Sequence, residues 1–187
     1  LLWSFVVFNQ NPTISENYNN IGVYYTNAAA LETSGFMVVS PSSPSLNLSV
    51  SGRRLSVSRI KRENISASIT IPEFREGTFH VPVSVALPVT DVSITNKNPN
   101  NIQLVIEKIV SKDLEIIIDD ASAKEVKNVE TTLPESHITV RGPATLVASL
   151  DRAVVTMDSS SVTASGERAL PVKIFDKDGN DVTNNPN

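Results

Sequence analysis

The chain has 187 residues and a formal net charge of -4, and this mild acidity gives it no general attraction to nucleic acid or to anionic lipid. Its hydrophobic content of 40% can sustain a packed core, and the absence of cysteine excludes disulfides, thiolate zinc sites and cysteine nucleophiles. The length suits one large domain or two small ones.

The chain opens with an apolar octet, LLWSFVVF at residues 1–8, which gives way at once to polar residues. The octet is either a first β-strand at a sheet edge or the end of a membrane-spanning helix. As a helix it would cover only about 12 Å, at about 1.5 Å per residue. The first basic residue of the chain is Arg53, and a flank without Lys or Arg is typical of the exported side of a membrane helix.

Period-two alternation of aliphatic and polar residues then predicts a series of half-buried antiparallel strands. Frequent Val, Ile, Ser and Thr, together with the lack of long helical patterns, predict an all-β protein. The residues predicted to face a core are Leu46, Leu48 and Val50; Ile65, Ala67, Ile69 and Ile71; Val81, Val83, Val85 and Leu87; and Ile102, Leu104 and Ile106.

An internal repeat organises these strands. The aligned segments are 21–27 with 114–120, 48–62 with 138–152, and 77–85 with 166–174. The period is about 90 residues, which predicts two copies of one small unit. The second copy has no counterpart of the strand at 102–110, so it is expected to be truncated before its last strand.

Each copy is predicted to contain one short helix after a strand that ends in glycine. Gly52 and Gly142 end those strands where the chain turns, at no Cβ penalty. Pro143 suits the first position of a helix because its missing N–H costs nothing there. Pro82 and Pro171 lie inside alternating segments, which confines their strands to a sheet edge or a bulge.

The order of these features resembles the YbbR domain. In that family a membrane-proximal Asn-Pro precedes a strand ending in Ser-Gly or Arg-Gly, a short helix, a G-T-F-x-V-P-V strand and an E-K-I-V junction. The first copy departs from the pattern because it has Arg53 where the second has Pro143. The matching positions are Asn11 and Pro12, Ser51 and Gly52, Arg141 and Gly142, residues 77–83, and residues 107–110.

The resemblance implies tandem YbbR-like β domains, each with one short helix, joined near residues 109–112. In this plan residues 1–16 form the end of a membrane anchor and a linker. Residues 17–110 form the first repeat, and residues 111–187 form the second, truncated repeat. The LWSFV segment at 2–6 matches the L-W-x-x-V that ends the anchor in this family.

The resemblance also implies a function. Anchored, tandem YbbR proteins are similar to the regulator that partners a membrane-bound diadenylate cyclase and modulates cyclic-di-AMP synthesis. The expectation is a non-enzymatic, single-pass protein of the cell membrane with its domains on the extracytoplasmic side. The alternative is an extracellular β-domain that recognises a cell-wall polymer or a surface protein, or that acts as a spacer.

The sequence offers no catalytic group. His80 and His137, the only histidines, both fall in the polar phase of their strands, and no G-x-S-x-G motif provides a nucleophile elbow. Asp119 and Asp120 form the most compact acidic pair. Adjacent strand residues point to opposite faces, so these two cannot readily share a proton, and a loop after Ile118 explains them more simply.

The segment DKDGNDVTNNPN at 176–187 has two interpretations. Asp176, Asp178 and Asn180 imitate the first ligands of a calcium loop, but Asp181 occupies the place of the required glycine and no flanking helices are evident. The pair Asp178-Gly179 is also a strong hairpin-turn signal, and we predict a turn without a metal.

One basic cluster stands out, made of Arg53, Arg54, Arg59, Lys61 and Arg62. It is either the solvated face of a short helix or a contact for anionic headgroups or an acidic partner. Nucleic-acid binding would favour interleaved aromatics and a basic domain, and neither is present. With no glycine-rich phosphate loop, we predict no cofactor site.

Overall fold

The computed structural model describes residues 11–121 and 130–184. The all-β prediction is confirmed, and the chain divides into two compact units, Leu1–Glu107 and Lys108–Asn187. The described helices are α1 (Ala28–Thr33), α2 (Arg54–Val57) and α3 (Ala144–Ser149). The strands are β1 (Thr13–Tyr25), β2 (Phe36–Ser40), β3 (Ser45–Arg53), β4 (Ser66–Ile69), β5 (Gly77–Pro82), β6 (Ser84–Ala86), β7 (Val92–Asn98), β8 (Asn101–Asp120), β9 (His137–Pro143), β10 (Leu150–Met157) and β11 (Val172–Asp176).

The main sheet of the first unit has the strand order β6-β4-β1-β3-β7. Strand β1 pairs antiparallel with β3 and parallel with β4, while β6 and β7 close the two sides in antiparallel pairing. The aliphatic positions predicted to face inward are buried in one cluster, except that Val85 and Leu87 are half-buried against it. Period-two patterning therefore identified this core correctly.

The second unit repeats these pairings in the run β11-β10-β8, and β9 also pairs with β8. Strand β8 pairs antiparallel with β9 and parallel with β10, and β11 pairs antiparallel with β10. These directions match those of β1, β3, β4 and β6 strand for strand. The repeat in the sequence is thus a repeat in topology.

The helix after the glycine is present in both units, as predicted. Arg53 precedes α2 with φ -65° and ψ 140°, and Pro143 precedes α3 with φ -63° and ψ 143°. The arginine therefore adopts the conformation that the ring imposes on the proline. Helix α1 was not predicted, so the first unit has two short helices. The chain leaves α1 through Gly35, whose φ of 85° is the left-handed conformation that favours glycine.

Three local predictions need correction. Asp119 and Asp120 do not lie in a loop, because the parallel pairing with β10 carries β8 as far as Asp120. Pro171 lies one residue before β11 rather than inside it, as its missing N–H would interrupt the ladder. Position 52 favours glycine because the backbone there passes close to Val92, and not only because the strand ends there. An added Cβ would lie 2.8 Å from Cγ2 of Val92.

The apolar octet at residues 1–8 lies outside the described residues, as do residues 185–187. Within 11–121 and 130–184, none of the helices has the length and apolar character needed to cross a bilayer.

Candidate functional site

The basic cluster forms one exposed surface around α2 and the turn that follows it. All five cationic side chains are exposed, and Leu55 between them is 59% exposed. The same segment turns Ser56, Val57 and Ile60 inward, and Val57 and Ile60 join the apolar core. We call Arg53, Arg54, Leu55, Arg59, Lys61 and Arg62 the basic surface.

The first turn of α2 is held by residues close to the start of the described chain. The backbone N–H of Arg54 donates to the carbonyl of Pro12 at 2.9 Å, and the N–H of Leu55 donates to Asn11 Oδ1 at 3.1 Å. These contacts satisfy donors that a helix N-terminus leaves without intrahelical partners. The Asn-Pro pair singled out in the sequence therefore lies directly against the basic surface.

One carboxylate lies next to this surface. Ser56 Oγ donates to Asp91 Oδ2. This hydrogen bond lowers the pKa of Asp91 below its ordinary value, and the positive charges of Arg59 and Arg53 lower it further. Asp91 is therefore charged at neutral pH and anchors the buried side of the helix.

The basic side chains themselves are mostly directed to solvent. Within the described parts of the chain, no ion pair involves any of the five. Arg62 donates from Nη2 to the carbonyl of Asn20 at 2.5 Å, beside an open depression of about 330 Å³. The surface thus combines a cluster of exposed cationic side chains with one apolar side chain, a combination that suits a binding contact.

The two histidines belong to different units. His80 is an exposed residue of β5 in the first unit, and His137 is an exposed residue of β9 in the second. His137 Nδ1 lies 2.9 Å from the hydroxyl of its neighbour Ser136. Their exposure agrees with the polar phase predicted for both.

The acidic loop after β11 satisfies its own carboxylates. Asp176 Oδ1 accepts from the backbone N–H groups of Asp178 and Asn180 at 3.0 and 2.8 Å. The amide side chain of Asn180 donates to the other carboxylate oxygen at 3.0 Å, and these bonds hold the pKa of Asp176 below its ordinary value. Gly179 has a φ of 83°, so the turn predicted at Asp178-Gly179 is confirmed.

No group of acidic or histidine side chains in 11–121 and 130–184 is arranged to hold a metal ion. Asn187, which would have completed the calcium loop, lies outside the described residues.

Sequence patterns identified the basic cluster but missed what positions it. The hydrogen bond from Leu55 to Asn11 joins residues 44 positions apart, and the one from Ser56 to Asp91 joins residues 35 positions apart. No local period in the sequence reveals such contacts. The one available signal was the Asn-Pro pair, and it gave no indication that its asparagine caps α2.

Neither the protein-family models nor the curated proteins contain a match to this sequence. Among solved structures, a YbbR-like protein from Streptococcus pneumoniae TIGR4 matches with a TM-score of 0.54 and 16% identity, over 91% of this chain and 87% of that one. A YbbR family protein from Desulfitobacterium hafniense DCB-2 matches with a TM-score of 0.38 and 18% identity, over 52% of this chain and 96% of that one. The first match spans both units. The chain therefore has the fold of the YbbR-like proteins.

Proposed function

We propose that this chain is a non-enzymatic YbbR-family regulator, held on the extracytoplasmic face of a membrane, that binds and modulates a membrane-bound diadenylate cyclase. The YbbR-like fold and the twofold order of motifs support the family. The cyclase partner follows from the family resemblance alone.

The observation that carries the proposal is the contact between α2 and residues 11–12. If residues 1–8 end a membrane helix, the chain leaves the bilayer a few residues before Asn11. The basic surface is hydrogen-bonded to that same stretch, so it would lie near the headgroups and near any membrane partner. A basic side chain close to an anionic leaflet contributes about 1 kcal/mol to binding.

The described residues also favour binding over catalysis. The hydrogen bond of His137 is to the exposed hydroxyl of its neighbour Ser136, and every buried side-chain polar atom of the described chain has a hydrogen-bond partner. A general acid or base is usually desolvated or charge-coupled inside a cleft.

The test uses the full-length gene product co-expressed with the cyclase. The proposal expects co-purification and a change in cyclic-di-AMP output. It also expects that Arg53→Glu with Arg54→Glu reduces both effects. The matched control is Arg141→Glu with Arg168→Glu, which reverses two exposed charges in the second unit and should leave both readouts unchanged.

A cyclase that neither associates with the protein nor changes its output would contradict the regulatory role. Equal losses in the basic-surface variant and in the control would instead reject the basic surface as the contact. Flotation with vesicles containing anionic lipid, in the absence of the cyclase, measures the lipid contact alone. An electrostatic contact with lipid should weaken as the salt concentration is raised.

The alternative is an extracellular module that recognises a cell-wall polymer or a surface protein. One observation favours it: β11 lies at the end of its sheet path. Sheet edges of this kind can accept extended partners. Retention of the protein on purified wall polymer, unaffected by reversal of the basic surface, would support this role over cyclase regulation.

A further inference from the structure

The main sheet of the first unit has one face that carries almost no charge. The residues that alternate with the buried Leu46, Leu48 and Val50 of β3, and their partners on the other strands, point away from the core. These outward positions on β1, β3, β4, β6 and β7 hold serine, threonine, asparagine, glycine, alanine and one tyrosine. Arg53, at the end of β3, is the exception and belongs to the basic surface. We call the middle of this surface the neutral face, made of Tyr24, Asn47, Ser49, Ser66, Ser68 and Ser84.

The fold itself does not require an uncharged face. The second unit pairs its strands in the same directions, yet several of its aligned outward positions are charged. The aligned pairs are Ser51 with Arg141, Ser66 with Arg152, and Ser84 with Lys173. A soluble surface commonly has about 25–35% charged residues. The neutral face is therefore a specific property of the first unit rather than a consequence of its topology.

A bulge in β1 places the one aromatic side chain on this face. The pairing of β1 with β3 shifts between Tyr18 and Ile21, and Asn20 within the shift has a φ of 55°. The backbone N–H of Asn20 donates to Asn47 Oδ1 at 2.8 Å. Residues six apart on a regular strand share a face, but the extra residue turns Tyr24 outward although Tyr18 lies opposite the buried Leu48.

The tyrosine is both accessible and positioned. Its side chain is 54% exposed, and its hydroxyl lies 3.1 Å from Ser66 Oγ on the neighbouring strand β4. This contact directs the ring across β4, among the hydroxyl groups of Ser66 and Ser68. Bulges that change the direction of a side chain are frequent next to functional sites.

The chemistry of the face selects one class of ligand. A charged ligand would be matched by opposite charges, and the neutral face has none. A protein partner would need an apolar centre in its interface, whereas Tyr24 is surrounded by serine and asparagine. Hydroxyl and amide side chains both donate and accept hydrogen bonds, as sugar hydroxyls do. A tyrosine ring adds a rigid apolar surface against which the C–H face of a sugar can pack.

We propose that the neutral face binds an uncharged glycan chain, with Tyr24 packed against a sugar ring and the neighbouring serine and asparagine side chains hydrogen-bonded to its hydroxyls. Five strands spaced about 4.8 Å apart give a surface about 19 Å across, which accommodates several sugar units. The site does not depend on the proposed cyclase. It also differs from an open strand edge, because side chains rather than backbone groups make the contact.

The experiment applies the full chain to immobilised oligosaccharides. The neutral probes are oligomers of glucose, mannose, galactose and N-acetylglucosamine, and the acidic probes are uronate oligomers. We expect saturable binding to a neutral oligomer, and calorimetry then measures its affinity. Tyr24→Ala should weaken binding by about tenfold or more, because an aromatic residue at the centre of a contact carries much of its affinity. In NMR spectra, the shifts caused by the oligomer should fall on β1, β3 and β4.

Two further variants use the second unit as a reference. Ile117→Ala changes the residue that aligns with Tyr24, is 43% exposed, and should leave binding unchanged. Ser66→Arg with Ser84→Lys introduces the charged residues that the second unit has at these positions, and it should abolish binding. Thermal melting should confirm that all three variants stay folded, since each alters a side chain on the outward face of its sheet.

The proposal is overturned if none of the neutral oligomers binds, or if the acidic oligomers bind more tightly than the neutral ones. It is also overturned if Tyr24→Ala and Ile117→Ala bind the oligomer with equal affinity, or if the NMR shifts fall outside the main sheet of the first unit.

Discussion

The two units follow the same strand path but bury it to different depths. Val50 in β3 is completely buried, whereas its counterpart Val140 in β9 is half-buried. The first unit has additional strand pairings, because β7 pairs with β3 and residues 101–106 pair with β5. Local sequence thus determines how the strands pair, while burial depends on elements that arrive from elsewhere in the chain.

The largest expected effect tests that difference in burial. Replacing Leu48 with alanine should lower the free energy of unfolding by about 2–5 kcal/mol, since the side chain is fully enclosed. The aligned change Ile138→Ala should cost clearly less, because solvent already reaches that side chain. Urea unfolding measures both changes, and the three tyrosines, all in β1, report on the first unit alone.

Equal costs for the two alanine variants would contradict the contrast. Far-UV circular dichroism records the strands of both units and serves as the readout for Ile138→Ala. A β-rich signal that remains after the tyrosine transition would show that the units unfold separately.

The two strand-ending glycines sharpen the comparison further. An added Cβ at Gly52 would lie 2.8 Å from Val92 Cγ2 in β7, whereas at Gly142 the nearest atom is Val147 Cγ2 at 3.5 Å. Overpacking of this kind costs about 1–3 kcal/mol, so Gly52→Ala should destabilise its unit by that amount. Gly142→Ala should stay within about 0.5 kcal/mol, as an ordinary contact does.

Urea unfolding again measures both glycine variants. Similar losses at the two positions would mean that the turn itself requires glycine. The packing of Val92 would then not explain Gly52.

The helices provide the matched case, in which the units should respond alike. Val57 and Val147 are 2% and 3% exposed at the same place in their repeats. Truncation of each to alanine removes two buried carbons and should cost about 1.5 kcal/mol in either unit. A clear inequality between the two losses would break the equivalence of the helices.

The smallest expected effect concerns acid stability in the first unit alone. Because the hydroxyl of Ser56 lowers the pKa of Asp91 in the folded state, the stabilisation is present above the ordinary carboxyl value of about 4 and is lost as pH falls through the lowered pKa. Ser56→Ala should raise the pKa of Asp91 in an NMR titration. The variant should also lose less stability than the unaltered chain as the pH falls.

Ser58→Ala is the control for that titration, because the Ser58 hydroxyl donates to the carbonyl of Leu55 instead. A pKa of Asp91 that is the same in both variants and in the unaltered chain would show that the Ser56 hydrogen bond does not lower it.

Much of the fold could be predicted from the sequence because its signals are local. Alternation identified the buried face of β3, and the repeat identified the helix before Val147. Helix α1 was missed because six residues carry little periodicity. The continuation of β8 to Asp120 was missed because it depends on pairing with β10.

The candidate site was predictable only in part, for the same reason. The cluster of cations around Arg54 is visible in the sequence, but the hydrogen bond from Leu55 to Asn11 joins residues that are distant in the chain. The role of Gly52 likewise depends on Val92, which is paired with it only in the folded sheet.

Hydrogen–deuterium exchange on the intact chain tests the central comparison most directly. The account predicts that β4 and β10 are both protected, that the amides of residues 78–81 are protected in the first unit, and that those of residues 167–170 exchange as freely as an unstructured segment. Equal protection of residues 78–81 and 167–170 would contradict it.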